Sequence, residues 1–143
     1  MKLRWVPVLA LMATSCRQSL VVDTSSAALI PRDVAVERLK EVLATAETAT
    51  CTEPKHVLDQ ADIKEWAVDD RGLEARAKGK ASIGFAFKDV TATRLDKVNL
   101  FFQVRIFTPA QPNPKKDYVH FNFPTEDTGR RALELLDALW KKK

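Results

Sequence analysis

The sequence predicts an α+β fold, and three observations carry that prediction. Apolar residues recur at helical spacing over residues 34–48, the period changes to two between residues 56 and 123, and a second helical run closes the chain after Thr125. Clusters of Gly, Pro and Asp cut the middle stretch into short pieces, as turns between antiparallel strands do. With 143 residues the chain has material for one domain once a short leader is set aside.

The leader is residues 1–16, MKLRWVPVLALMATSC. Lys2 and Arg4 give a charged start, residues 5–13 are an uncharged apolar run, and small polar residues follow, which is the layout of an export signal. A membrane-spanning helix needs roughly 20 apolar residues, and Arg17 ends this run sooner. The closing Ala13-Thr14-Ser15-Cys16 resembles the lipobox of bacterial lipoproteins, with Ala13 where leucine is usual. The resemblance implies that residues 1–15 are a signal peptide and that Cys16 carries the acyl chains that hold the protein at the membrane. In lipoproteins of the enteric kind an Asp after the cysteine usually retains the protein at the inner membrane. Arg17 stands there instead, so the resemblance implies the periplasmic side of the outer membrane. One alternative is ordinary secretion with cleavage after Ala27 in Ser25-Ser26-Ala27, well past the apolar run. A cytosolic protein with an apolar N-terminus is the other.

The 23 Lys and Arg less Lys2 and Arg4 leave 21, against 19 Asp and Glu, so the mature chain is only slightly basic despite a pI of 9.2. The charges are interspersed without a basic stripe, which argues against a nucleic-acid partner. If Cys16 is acylated, Cys51 is the only other cysteine and no disulfide forms within the chain. An unprocessed Cys16 leaves a Cys16–Cys51 bridge open. The expected role of Cys51 is that of a small apolar residue that buries.

Residues 16–32 show no clean period and are read as a mostly disordered tether. Pro31 marks the boundary of a domain over residues 33–143. Asp33 is the expected N-cap of a helix over 34–48, with Val36, Leu39, Leu43 and Ala46 on one line. A strand over 56–68 follows, bent at Asp59-Gln60-Ala61-Asp62, which is poor strand material. Asp69-Asp70-Arg71-Gly72 is a tight turn into a strand with Leu73, Ala75 and Ala77 inward. Lys78-Gly79-Lys80 turns the chain into a strand with Ile83, Phe85 and Phe87 on one face. A short strand over 89–94 and a turn at Lys97-Val98-Asn99 come next. Leu100, Phe102, Val104 and Ile106 then share one face, with Gln103 and Arg105 on the other. Residues 108–116, TPAQPNPKK, hold three prolines and form a loop. In the last strand Val119, Phe121 and Phe123 point inward and Tyr118, His120 and Asn122 outward. Thr125 caps the closing helix, Glu126 and Asp127 sit at its positive end, and Ala132, Leu133, Leu136, Leu139 and Trp140 form its apolar face.

This order of elements resembles the pleckstrin-homology-like fold. Residues 83–94, IGFAFKDVTATR, look like the corresponding passage of bacterial members and GRAM-like relatives, and residues 118–139 look like their final strand and helix. The resemblance implies six or seven antiparallel strands in two nearly orthogonal sheets, a partly open barrel, and a C-terminal helix plugging one end. The helix over 34–48 is an addition to that plan. Members that bind inositol phosphates use basic residues in the loop between the first two strands. Asp69 and Asp70 stand there and repel phosphate, so no such site is carried over.

The chain lacks the usual constellations of chemistry. His56 and His120 are far apart, and no Cys-x-x-Cys, glycine-rich phosphate loop or Gly-x-Ser-x-Gly is present, so no metal, cofactor or catalytic set is expected. Asp59 with Asp62 and Asp69 with Asp70 read as turn residues rather than acid–base pairs. Lys78, Lys80, Lys115 and Lys116 read as separate surface cations rather than a patch for lipid head groups. The polar, aromatic strand face of Tyr118, His120 and Asn122 is the candidate ligand or partner surface. The expected function is that of a membrane-tethered, non-enzymatic module binding an envelope protein or peptide. The alternative is a barrel that takes a small ligand or lipid into an apolar cavity. An enzyme built around His120 is a third reading.

Overall fold

The computed structural model describes residues 17–109 and 116–141, so residues 1–15, Cys16 and residues 110–115 of the proline-rich loop lie outside the described residues. In order the elements are β1 (Arg17–Leu20), α1 (Arg32–Leu43), β2 (Thr48–Thr52), β3 (Lys55–Asp59), β4 (Ile63–Val68), β5 (Gly72–Ala77), β6 (Ile83–Ala86), β7 (Ala92–Val98), β8 (Phe101–Phe107), β9 (Val119–Phe123) and α2 (Glu126–Trp140). Short 3-10 turns stand at Ser25–Leu29 and Phe87–Asp89. The fold is α+β, as the periodicity predicts. Six strands form one sheet in the order β1-β7-β8-β9-β2-β3, and β4-β5-β6 form a second; every pairing is antiparallel.

Strand alternation sets two unlike faces on the large sheet. Leu58, Ala49, Phe121, Val104 and Leu95 lie in one cross-strand row and are fully buried. Against this inner face pack α2 and the small sheet. Trp66 of β4 meets Phe121 edge-on at 5.4 Å between ring centres, and Phe85 of β6 stacks on the same ring at 6.4 Å. The space between the sheets is thereby filled with aromatic side chains.

Several expectations are corrected. Residues 17–30 are not a loose tether: β1 pairs residue for residue with β7, from Arg17 opposite Val98 to Leu20 opposite Leu95. Ala27 is buried in the 3-10 turn. The stretch lacks a period because it is an edge strand followed by a turn, each too short to show one. The first helix starts at Arg32 with Pro31 in the cap position, where proline's preset φ suits a helix entry, and Asp33 lies in its first turn. It ends at Leu43, and Thr48 begins a strand rich in Thr. The single bent strand over 56–68 is two strands in different sheets. At the break, Asp59 and Asp62 each accept from the other's backbone N–H, at 3.0 and 3.1 Å, closing a turn. The strand expected over 89–94 runs from Ala92 to Val98, so the following turn falls at Asn99-Leu100, where Asn99 has φ 54°. Six or seven strands become nine among the described residues, and the sheets do not close into a barrel.

The closing helix matches its expected start. The Thr128 N–H donates to Thr125 Oγ1 at 3.2 Å. It is buried on two sides rather than one: Leu133 and Leu136 with the sheet side, Leu135 and Ala138 as well. The second side is covered by α1 and by the turn at Ser25–Leu29. Asp137, buried at 4 % exposure, ties these parts together. It accepts from Thr24 Oγ1 at 2.8 Å, Thr93 Oγ1 at 2.7 Å and Trp140 Nε1 at 2.6 Å. No helix among the described residues is long and apolar enough to cross a membrane.

Candidate functional site

The outer face of the large sheet is built from the residues that alternate with the core row. β7 contributes Arg94 and Asp96, β8 Gln103 and Arg105, β9 His120 and Asn122, and β2 Thr48 and Thr50. The register places Asp96, Gln103, Asn122 and Thr48 in one cross-strand row and Arg94, Arg105, His120 and Thr50 in the next. The helices and the small sheet all pack on the opposite face.

Asp96 is the centre of the cluster, with no exposed surface. Its carboxylate accepts from Arg94 Nε at 2.9 Å and Nη2 at 3.1 Å, from Arg105 Nη1 at 3.0 Å and from Arg17 Nη1 at 3.1 Å. Burying a carboxylate costs several kcal/mol unless partners replace water; here three guanidinium groups do so. Arg105 also donates through Nη2 to Asp117 Oδ1 at 3.1 Å. The other carboxylate oxygen of Asp117 accepts from His120 Nδ1–H at 2.6 Å, which sets the imidazole's orientation. Arg94 and Arg105 both lie over the Phe107 ring, at 5.6 and 5.2 Å from its centre. Along the row that holds Asp96, Arg17 donates to Gln103 Oε1 at 3.1 Å, and Gln103 Nε2 to Asn122 Oδ1 at 3.2 Å.

Three arginines face two carboxylates in this network, so it carries a net positive charge. Arg17 and Arg94 keep roughly half of their side chains in solvent, at 48 % and 42 %. The buried Arg105 Nε has no hydrogen-bond partner among the described residues. Chemically the face presents oriented N–H donors suited to carboxylate or another anionic group. No hydroxyl or thiol among the described residues hydrogen-bonds to His120, and no cluster of metal ligands occurs among them.

Of the candidate residues named from sequence, His120 and Asn122 join this network. Tyr118 sits just ahead of β9 and packs half-buried against the core instead. Its backbone N–H donates to Ile106 O at 2.7 Å. Arg94, Asp96, Arg105 and Asp117 were missed. The available signal was three polar pairs at i, i+2 spacing on strands that pair with each other. Cys16 lies outside the described residues, and Cys51 is a half-buried free thiol on β2.

The other expectations fall elsewhere. His56 donates to Ala81 O at 2.6 Å, tying β3 to the loop before β6. Lys80 pairs with Asp62 at 3.1 Å. The Asp69 carboxylate accepts from the N–H groups of Arg71 and Gly72, which hold it below the usual carboxylate range. A groove of about 770 Å³ runs between residues 22–30, α1 and α2. Arg38, Arg130 and Arg131 line it against Asp23, Asp127 and Glu134, so its charges balance.

A comparison with known protein families, curated proteins and solved structures found no match to this chain.

Proposed function

We propose that this chain is an exported lipoprotein, acylated at Cys16, whose domain is a pleckstrin-homology-like, non-enzymatic module that binds an envelope protein or peptide through the outer face of its large sheet. The observation that carries the reading is that Arg17, the residue after Cys16, is already the first residue of β1. Cleavage before Cys16 leaves the fold whole. Cleavage after Ala27 removes β1, Thr24 and the buried Ala27, which weighs against the soluble secreted alternative.

The pleckstrin-homology-like assignment is supported by the path of the chain. It leaves the large sheet after β3, builds β4-β5-β6, returns through β7-β8-β9, and ends in a helix against the inner face. The aromatic filling between the sheets favours a surface binder over a barrel that encloses a ligand. The binding surface of this reading is the positive network around Asp96 and Arg105, and acidic side chains or a C-terminal carboxylate are the groups it fits.

Two experiments test this reading. Labelled palmitate supplied to producing cells enters the wild-type protein and not Cys16→Ala; no incorporation into the wild type contradicts the anchor. A photo-crosslinking residue at Val57, the exposed strand partner of Thr50 on the outer face, captures a discrete envelope protein, and Arg94→Glu reduces that adduct. Equal adducts from Val57 and from the exposed Leu29 on the far side contradict the assignment of the face.

A further inference from the structure

We propose that the β7–β8 hairpin tip is a second membrane contact of this chain, placing Leu100 and Phe101 in lipid beside the anchor. The proposal rests on the lipoprotein reading above and adds an orientation to it. Val98 pairs with Phe101, so Asn99 and Leu100 form a two-residue turn. Turn positions ordinarily hold polar residues or glycine. Here Leu100 is 85 % exposed and Phe101 is 41 % exposed, and neither serves the core.

What covers them is set by where the chain enters the fold. Arg17 is the strand partner of Val98, so the first residue of β1 stands level with the tip. Cys16 immediately precedes Arg17 in the chain. Arg17 is held by the strand ladder and by Asp96 and Gln103, which leaves no slack between anchor and domain. Acyl chains on Cys16 therefore bring the bilayer surface to the tip, and apolar side chains beside an anchor enter the acyl boundary. The exposed Lys97 flanks the tip, and its long side chain can bring its ammonium to head-group phosphates. Glu47, Glu126 and Asp127 stand at the same end of the sheet, so charge does not draw the tip to anionic lipid. The contact is carried by apolar burial, and a zwitterionic bilayer suffices.

The test uses the full acylated protein in phosphatidylcholine vesicles that carry spin-labelled lipid as quencher. In a Cys51→Ala background, Leu100→Cys and Val57→Cys each receive an environment-sensitive fluorophore; Val57, 41 % exposed on β3, is the off-tip control. Lipid quenching several-fold stronger at position 100 than at 57 is expected. Equal, weak quenching at both positions, on protein whose mass shows acyl chains at Cys16, overturns the proposal and leaves the anchor reading standing. A label at 100 shielded from iodide but untouched by the lipid quencher identifies a protein contact and also overturns it. Protein without acyl chains that stays off the vesicles overturns the anchor reading and this proposal with it.

Discussion

Asp96 concentrates the energetics of the outer face. It is fully buried and shared by three guanidinium groups, so removing its charge leaves Arg105 beneath the surface with one carboxylate instead of two. Breaking a buried pair from one side costs about 3–5 kcal/mol, and urea denaturation of Asp96→Asn is expected to show a loss of that size. Arg94 is 42 % exposed, so Arg94→Ala is expected to cost about 1 kcal/mol or less. If the two variants have the same midpoint, the cluster is not built around Asp96. Two turn carboxylates give a pH dependence. The N–H groups of Arg71 and Gly72 hold Asp69 down, and the Asp59 N–H followed by Lys80 holds Asp62 down. Each is lowered in the folded state from an unfolded value of about 3.9. Their contribution is therefore complete above that pH and is lost as pH falls through the folded values. Thermal melts should be flat in this respect above about pH 4 and fall below it, less steeply in Asp69→Asn. At this scale the sequence revealed that His120 and Asn122 point away from the core, and that Gln103 and Arg105 share that side of their strand. It concealed the network, because Asp96 lay beyond the expected end of its strand and Asp117 lies ahead of β9. Burial of a charge depends on partners that arrive from strands distant in sequence.

The elements depend on a few positions where they meet. Gly129 lies where α2 packs tightly on the large sheet: a Cβ there would stand 3.0 Å from Leu95 Cδ1 and 3.2 Å from Phe102 Cβ. Alanine would gain about 1 kcal/mol of helix propensity, but overpacking costs about 1–3 kcal/mol, and a Cβ on a strand cannot swing aside. Gly129→Ala should therefore lower the chemical-denaturation midpoint; a raised midpoint would show that the sheet yields. Asp137 holds the N-terminal segment, β7 and its own helix through Thr24, Thr93 and Trp140. Asp137→Ala removes a buried acceptor shared by three half-buried donors and is expected to cost about 3 kcal/mol. Amide exchange over residues 17–24 should quicken before that in β8 and β9. Uniform exchange along the chain would mean that β1 is held by its ladder alone. The periodic elements were legible: the closing helix, its Thr125 cap and the inward residues of β5, β8 and β9. Short elements were not. β1 has four residues and β2 five, and the turn between β3 and β4 was read as a bend. A change of sheet leaves no periodic trace, because alternation continues on both sides of it.

At the scale of the molecule, β1 makes the anchor and the domain one unit in the proposed reading. On that reading the hairpin tip faces the bilayer, and the seven residues of β8 run away from the tip toward Phe107 and the proline-rich loop. Strand rise gives about 3.3 Å per residue, so Asp117 and His120 stand well clear of the head groups, and the exposed part of Arg94 is what a partner meets on this face. The central claim is that Cys16 is the mature, acylated N-terminus. The measurement that tests it most directly is the intact mass of the protein extracted from membranes. A chain beginning at Cys16 with the added mass of acyl chains is expected. A mass beginning at Ala28, or the unprocessed chain without lipid, would contradict it.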